Sequence, residues 1–184
     1  PFAILHYERE GREIKKFIKI AENEKLEAEV QLRKMAFDIE TYNPLGAARE
    51  KKDPALMISY ASDSGQKGVF TYKENKKEFM HISKDERGMM ADFDAKIAEI
   101  DPDIIYGYNS SNFDLPYLKA RADILKLHLK LGRDGKGFRA VRKGMINGAK
   151  IGGRIHMDIY PPMRFFGFIG LVKAQGEASR IISL

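Results

Sequence analysis

An α/β fold built on a sheet of mixed strand direction follows from three features of this 184-residue sequence. Three short runs with strand patterning, 35–41, 56–61 and 68–72, succeed one another through brief polar connections, as in an antiparallel meander. A helical repeat at Met90, Phe93, Ile97 and Ile100 then precedes an apolar run at 103–108. A strand reached through a helical crossover pairs in parallel with an earlier one. A second helix and a final strand extend the alternation, with helices flanking the sheet.

Residues 1–34 read as an adapter helix and linker rather than a domain. Ile14, Phe17, Ile18 and Ala21 recur at helical spacing and predict one short amphipathic helix. Residues 22–33 are highly charged and lead into the first strand. Residues 35–164 form the main domain. In Met35-Ala36-Phe37-Asp38-Ile39-Glu40-Thr41 the apolar residues alternate with Ala36, Asp38 and Glu40, so one face is in a core. Asn43-Pro44 and Gly46 mark a loop, and Gly65 a turn. Pro102 ends the first helix. Asn109 to Asn112 is a polar loop, and Asp114-Leu115-Pro116 opens a second helix with a buried stripe of Leu115, Leu118, Ala122, Leu125 and Leu129. Asn147-Gly148 predicts a hairpin turn within 138–151. The last strand, 151–158, carries Arg154, His156 and Asp158 on one face. Residues 165–184 are an atypical apolar tail, and its run 165–172 is expected to pack on the domain or on a partner.

Composition narrows the function classes. Apolar residues make up 43% of the chain, enough for one domain with a real core. No apolar run is long enough to cross a bilayer and no secretory signal opens the sequence, so no membrane partner is expected. Cysteine is absent, which excludes disulfides and thiolate metal sites and fits a cytoplasmic setting. Between Lys119 and Arg154 eleven Lys and Arg face only Asp123 and Asp134, so this window carries +9 of a chain total of +6. A basic block beside an acidic site suits a phosphodiester substrate; a solvated helix and hairpin would show the same count.

Asp38 and Glu40 stand side by side on the polar face of one strand. Like charges that close repel, and a divalent cation with a preference for oxygen, such as magnesium, relieves the repulsion. An acidic, solvated strand face is the plainer alternative. Asp114 also has two readings: an N-cap for the second helix, or a third carboxylate arriving beside the first two. Ligand sites in such sheets lie where strands end at a change of direction, which favours the second.

Four stretches, "MAFDIET", "DPDIIYGYNSSNFDLPYLKARA", "LGRDGKG" and "GRIHMDIYP", together resemble the proofreading exonuclease domain of archaeal family B DNA polymerases. Asp38-Ile39-Glu40 matches that family's first exonuclease motif, and Asn109 with Phe113-Asp114 the second. The likeness runs from 35 to 164 in order. It implies an RNase H-like fold and a 3′→5′ exonuclease that removes mispaired nucleotides from a DNA end. By the same resemblance, Asp38, Glu40 and Asp114 would hold two Mg²⁺ or Mn²⁺ ions as catalytic ligands. Asn109 and Phe113 would position the terminal nucleotide, with Asp158 nearby as a further substrate contact. The implied partners are a single-stranded or frayed DNA 3′ end and the remainder of the polymerase, in the nucleoid.

The match has one gap. The family's third motif, Tyr-x-x-x-Asp, is missing: no tyrosine here is followed four residues on by Asp, and Glu177 is the only acid beyond Asp158. The chain is therefore expected to be a domain shortened before completion. A catalytically incomplete DNA-binding or assembly fragment is the competing reading. The strand end "FDIET" also has a partial likeness to haloacid dehalogenase-type phosphatases, but Glu40 stands where their second Asp belongs.

Overall fold

The computed structural model describes residues 5–10, 13–19 and 31–168, apart from 45, 75, 76 and 145. The chain divides into two compact units, Pro1–Gln31 and Leu32–Leu184.

In the first unit β1 (Leu5–Glu10) pairs antiparallel with β2 (Glu13–Lys19), with Tyr7 opposite Phe17 and His6 opposite Ile18. The expected amphipathic helix is thus replaced by a hairpin. An apolar set spread over eight residues fits either period, and a partner strand immediately upstream satisfies the backbone at once. Ala21 and most of the charged linker lie outside the described residues.

The second unit is organised around β3 (Lys34–Thr41). Met35, Phe37 and Ile39 are buried and the residues between them exposed, as the alternation requires. β4 (Ala55–Ser62) and β5 (Lys67–Thr71) continue an antiparallel meander, and a short β6 (Met80–Ile82), not foreseen from the sequence, adds in parallel to β5. On the other side of β3, β7 (Ile104–Gly107) and then β10 (Ile155–Asp158) add in parallel, giving the order β10-β7-β3-β4-β5-β6.

Helix α1 (Glu86–Ile100) covers one face of this sheet. It starts where the Asp85 carboxylate accepts the Gly88 amide at 2.7 Å, an N-cap. Met89, Met90, Phe93 and Ile97 pack on the β3–β5 face, with the Phe37 and Phe93 rings 5.4 Å apart. Helix α2 (Asp114–Ile124) ends sooner than its apolar stripe implied, because Lys126 turns left-handed at φ +52°. Leu129 is buried all the same, in the segment that follows.

β8 (Phe138–Lys143) and β9 (Ile146–Ile151) form a separate hairpin. Its turn is not at Asn147-Gly148, which pair with Arg142 and Val141 inside the ladder. The chain reverses through Gly144, at φ +63°. Residues 160–168, part of the expected last segment and tail, form α3 (Tyr160–Phe168). Phe165 and Phe166 are exposed, and residues 169–184 lie outside the described set.

One end of the parallel strands is tied by charge. Asp101 accepts hydrogen bonds from Arg33, Arg133 and Arg154, and Asp103 from Arg133. Those guanidiniums hold the Asp101 carboxyl far below the usual carboxylate range. The cluster joins the starts of β3, β7 and β10 and leaves their opposite ends open. Three cations of the basic block are engaged within the fold: Arg133 and Arg154 with Asp101, and Arg121 with the buried Glu86.

Candidate active site

β3 brings Asp38 and Glu40 to the polar side of the sheet, toward the open end. The ladder with β4 shifts register beside Glu40, which pairs with Met57 while Thr41 pairs with Ala55, so Leu56 of β4 is left as the extra residue. β7, parallel to β3, delivers the motif loop to the same end. That loop needs Gly107: a Cβ there would meet the Ser110 hydroxyl at 2.3 Å. Asn109 follows in the left-handed region at φ +58°, which asparagine tolerates.

Asp114 is not the cap of α2. The N-cap position of α2 is Phe113, with no side-chain cap bond. The Asp114 carboxylate, only 1% exposed, instead accepts the amide of Ile39 at 3.0 Å, in the middle of the acidic strand. Burial, and after it the negative charge of Asp38, push the Asp114 carboxyl up to about 7. Its folded-state pKa lies above the unfolded one. The stability it contributes is therefore whole below about pH 4 and lost as pH rises through 7.

A buried carboxyl kept from ionising first by burial and then by the charge of a neighbouring carboxylate fits a hard divalent cation, which favours both charged forms together. Glu40 lies two residues along the same face. Among the described residues no three His, Cys, Asp or Glu side chains close into a cluster. Asp114 is held on the amide between Asp38 and Glu40, and Glu40 is not a member of a closed group with them.

The remaining expected residues separate into two kinds. Phe113 is exposed at the mouth of the site, its ring 5.4 Å from that of Tyr117, so it is not a core residue. Asn109 is partly buried, and its side-chain oxygen accepts from Asn112 at 2.9 Å. Asp158, by contrast, is committed to the backbone. It accepts the amides of Asn109 at 2.8 Å, Ser111 at 2.9 Å and Tyr160 at 3.0 Å. Its role is to hold the motif loop on β10, and a substrate would have to compete with those amides. His156 sits beside it, Nε2 3.0 Å from the Ser110 hydroxyl, with its pKa lowered by burial against the raising effect of Asp158. It braces the loop from the sheet.

The chain has counterparts among known proteins. Residues 11–165 match the family model described as DNA polymerase family B, exonuclease domain. The chain belongs to that family.

Among its relatives is a DNA polymerase of Methanocaldococcus jannaschii, 40% identical over 134 residues, or 73% of this chain and 8% of that protein. Another is a DNA polymerase of Pyrococcus glycovorans, 42% identical over 139 residues, or 76% of this chain and 18% of that protein. The structure of the family B DNA polymerase from the archaeon Pyrobaculum calidifontis superposes with a TM-score of 0.64 at 27% identity, covering 86% of this chain and 20% of that one. The exonuclease domain described here thus spans no more than about a fifth of the relatives it matches. Its mixed α/β sheet is the architecture of that family B neighbour.

Sequence reasoning missed two groups that shape the site of this exonuclease domain. Tyr117 is buried behind Phe113, and the loop from 42 to 54 is anchored beneath it. Tyr117 sits one turn beyond Asp114, a helical spacing that places it near the same end of α2. The outer sheet face beside Asp38 also holds a groove of about 540 Å³, lined by Ala36, Ser59, Tyr60, Lys67 and Phe79.

Proposed function

We propose that this exonuclease domain removes nucleotides from the 3′ end of single-stranded or frayed DNA, as the proofreading part of a polymerase that supplies the remaining domains. The observation that carries this reading is the buried Asp114 carboxylate of α2 accepting the Ile39 amide of β3, between Asp38 and Glu40. Asp38, Asp114 and Glu40 would hold Mg²⁺ or Mn²⁺. Such ions, when bound, lower the pKa of an attacking water and stabilise charge on the phosphate. Phe113 offers an exposed apolar ring to a terminal base or sugar, and Asn109 an amide to its polar edge. Asp158 and Gly107 keep that amide in place. The groove beside Asp38 offers apolar wall to a nucleotide, with Lys67 for a phosphate. Arg139, Arg142 and Lys150 on the β8–β9 hairpin add positive charge for the strand behind it. The work place of such a domain is the nucleoid. No helix among the described residues is long and apolar enough to cross a membrane.

The experiment is end polarity. A single strand labelled at its 5′ end and incubated with the chain and Mn²⁺ is expected to shorten into a ladder that keeps the label. Loss of the label as mononucleotide would overturn the direction of attack.

A second reading is favoured by the open arrangement around Glu40: a domain that binds DNA and needs another segment or chain to complete the acidic cluster. It predicts salt-sensitive binding of the same strand with no ladder at all.

A further inference from the structure

Three asparagines join the β8–β9 hairpin to the motif loop. The side-chain amide of Asn147, on β9, donates to the side-chain oxygen of Asn112 at 2.6 Å, across 35 residues of sequence. Asn112 in turn donates its own amide to the side-chain oxygen of Asn109 at 2.9 Å. Each amide in the row accepts at its oxygen and passes on its nitrogen. Asn109 is the last, and among the described residues its side-chain nitrogen meets no acceptor.

The row stands on fixed backbone at both ends. The main-chain amide of Asn109 is held by Asp158 at 2.8 Å, and its carbonyl accepts the amides of Asn112 and Phe113, each at 3.0 Å. Asn147 lies inside the hairpin ladder, opposite Arg142. Short side chains on a settled backbone lose little rotamer freedom when they line up. The cross-strand guanidinium also sets the sense of the row. Positive charge beside Asn147 favours its oxygen and leaves its nitrogen for Asn112.

We propose that Asn147 is a positioning residue that acts through Asn112 to turn the Asn109 amide, so that its nitrogen meets an acceptor oxygen of the nucleotide at the DNA 3′ end. The proposal rests on the role given above to Asn109 at that end. An amide whose oxygen is already engaged offers only N–H. Phosphate and sugar-ring oxygens are acceptors, so they match an amide held in this sense and not one turned over. A carboxylate at 147 can only accept. It would take the N–H of Asn112, bring the Asn112 oxygen round to Asn109, and leave Asn109 presenting its own oxygen to the substrate. The Asn147-Gly148 pair, which is not the hairpin turn, thereby has a place in the site.

The test measures release of the first nucleotide from a single strand in Mn²⁺ against strand concentration. The proteins are the parent, Asn147→Ala, Asn147→Asp, Asn109→Ala and the Asn147→Asp/Asn109→Ala double variant, with thermal midpoints recorded alongside. The strand concentration at half-maximal rate is expected to rise about fivefold in Asn147→Ala, the scale of one hydrogen bond, with the maximal rate within about twofold of the parent. In Asn147→Asp it should rise about thirtyfold, because two acceptors then face each other. In the Asn109→Ala background the same change should add less than about twofold, because the row has lost its end. An unchanged half-saturation in Asn147→Asp overturns the proposal while leaving the exonuclease reading standing. So does an equal rise with and without Asn109, which would be repulsion of DNA by the added charge. A parent chain that trims no strand overturns this proposal together with the reading it rests on.

Discussion

Asp38→Ala is expected to lower the rate of 3′-end trimming by at least about 10³-fold, a loss of about 4 kcal/mol of transition-state stabilisation. Asp38 is the exposed member of the carboxylate pair and the one that faces incoming ligand. Its removal also withdraws the like charge beside Asp114, so the fold should not suffer. The expected result is an inactive protein with an unchanged or raised thermal midpoint. Trimming rates on a labelled single strand and a melting curve check both halves. Retained activity would place the chemistry elsewhere.

Arg121→Met is expected to have the opposite profile, a large loss of stability from a residue outside the site. Arg121 and Glu86 are 7% and 8% exposed and are joined by two hydrogen bonds, at 2.6 and 2.8 Å. Glu86 also accepts the amide of Ala55 at 2.9 Å, and Arg121 donates to the Glu50 carbonyl at 3.2 Å. The pair thus fastens α1 to α2 and closes the loop after Glu40 from its far side. Removing one partner leaves the other charge buried and alone, which costs about 3–5 kcal/mol. In a domain of this size that corresponds to a fall in thermal midpoint of roughly 10 °C. Methionine keeps much of the length of the side chain, so the loss reports the charge and its bonds. A variant melting within two or three degrees of the parent would show that the pair is not holding the loop.

The parts of this fold legible in the sequence are those where a local pattern and the tertiary environment agree. The alternation of Met35, Phe37 and Ile39 identified β3 because burial on one face is what that period encodes. The apolar run of β7 reads as a strand because its neighbours on both sides, β3 and β10, leave it little solvent. Asp114 was placed near Asp38 and Glu40 by topology and resemblance together. Its sequence context alone fits a helix cap equally well. Only the coordinates separate the two, by showing its carboxylate on the Ile39 amide. The misses have local causes. Eight residues around Ile14 are too few to distinguish two periods. Asn147-Gly148 carries turn chemistry, yet a left-handed glycine three residues earlier closes the hairpin first. β6 is three residues long and is held by its neighbour in the sheet rather than by its own composition. Asp158 has the type and position of a site carboxylate, and nothing in sequence reveals that three backbone amides already occupy it. Tyr117 was unreadable for a similar reason: its partner, the Asp53 carbonyl, lies more than sixty residues away.

The central claim is that the Asp38–Asp114 pair is poised for a cation, and stability against pH and metal tests it most directly. Asparagine at 114 can accept from Ile39 and donate toward Asp38, imitating the protonated acid. The raised pKa of Asp114, about 7 against 3.8, is equivalent to about 4 kcal/mol lost once it ionises. At pH 8 without metal, Asp114→Asn should therefore melt roughly 5–10 °C above the parent, and the gap should close as pH falls toward 4. Adding Mn²⁺ at pH 8 should raise the midpoint of the parent and leave that of Asp114→Asn where it was. Equal midpoints for the two proteins at pH 8, with no response of the parent to Mn²⁺, would contradict the account.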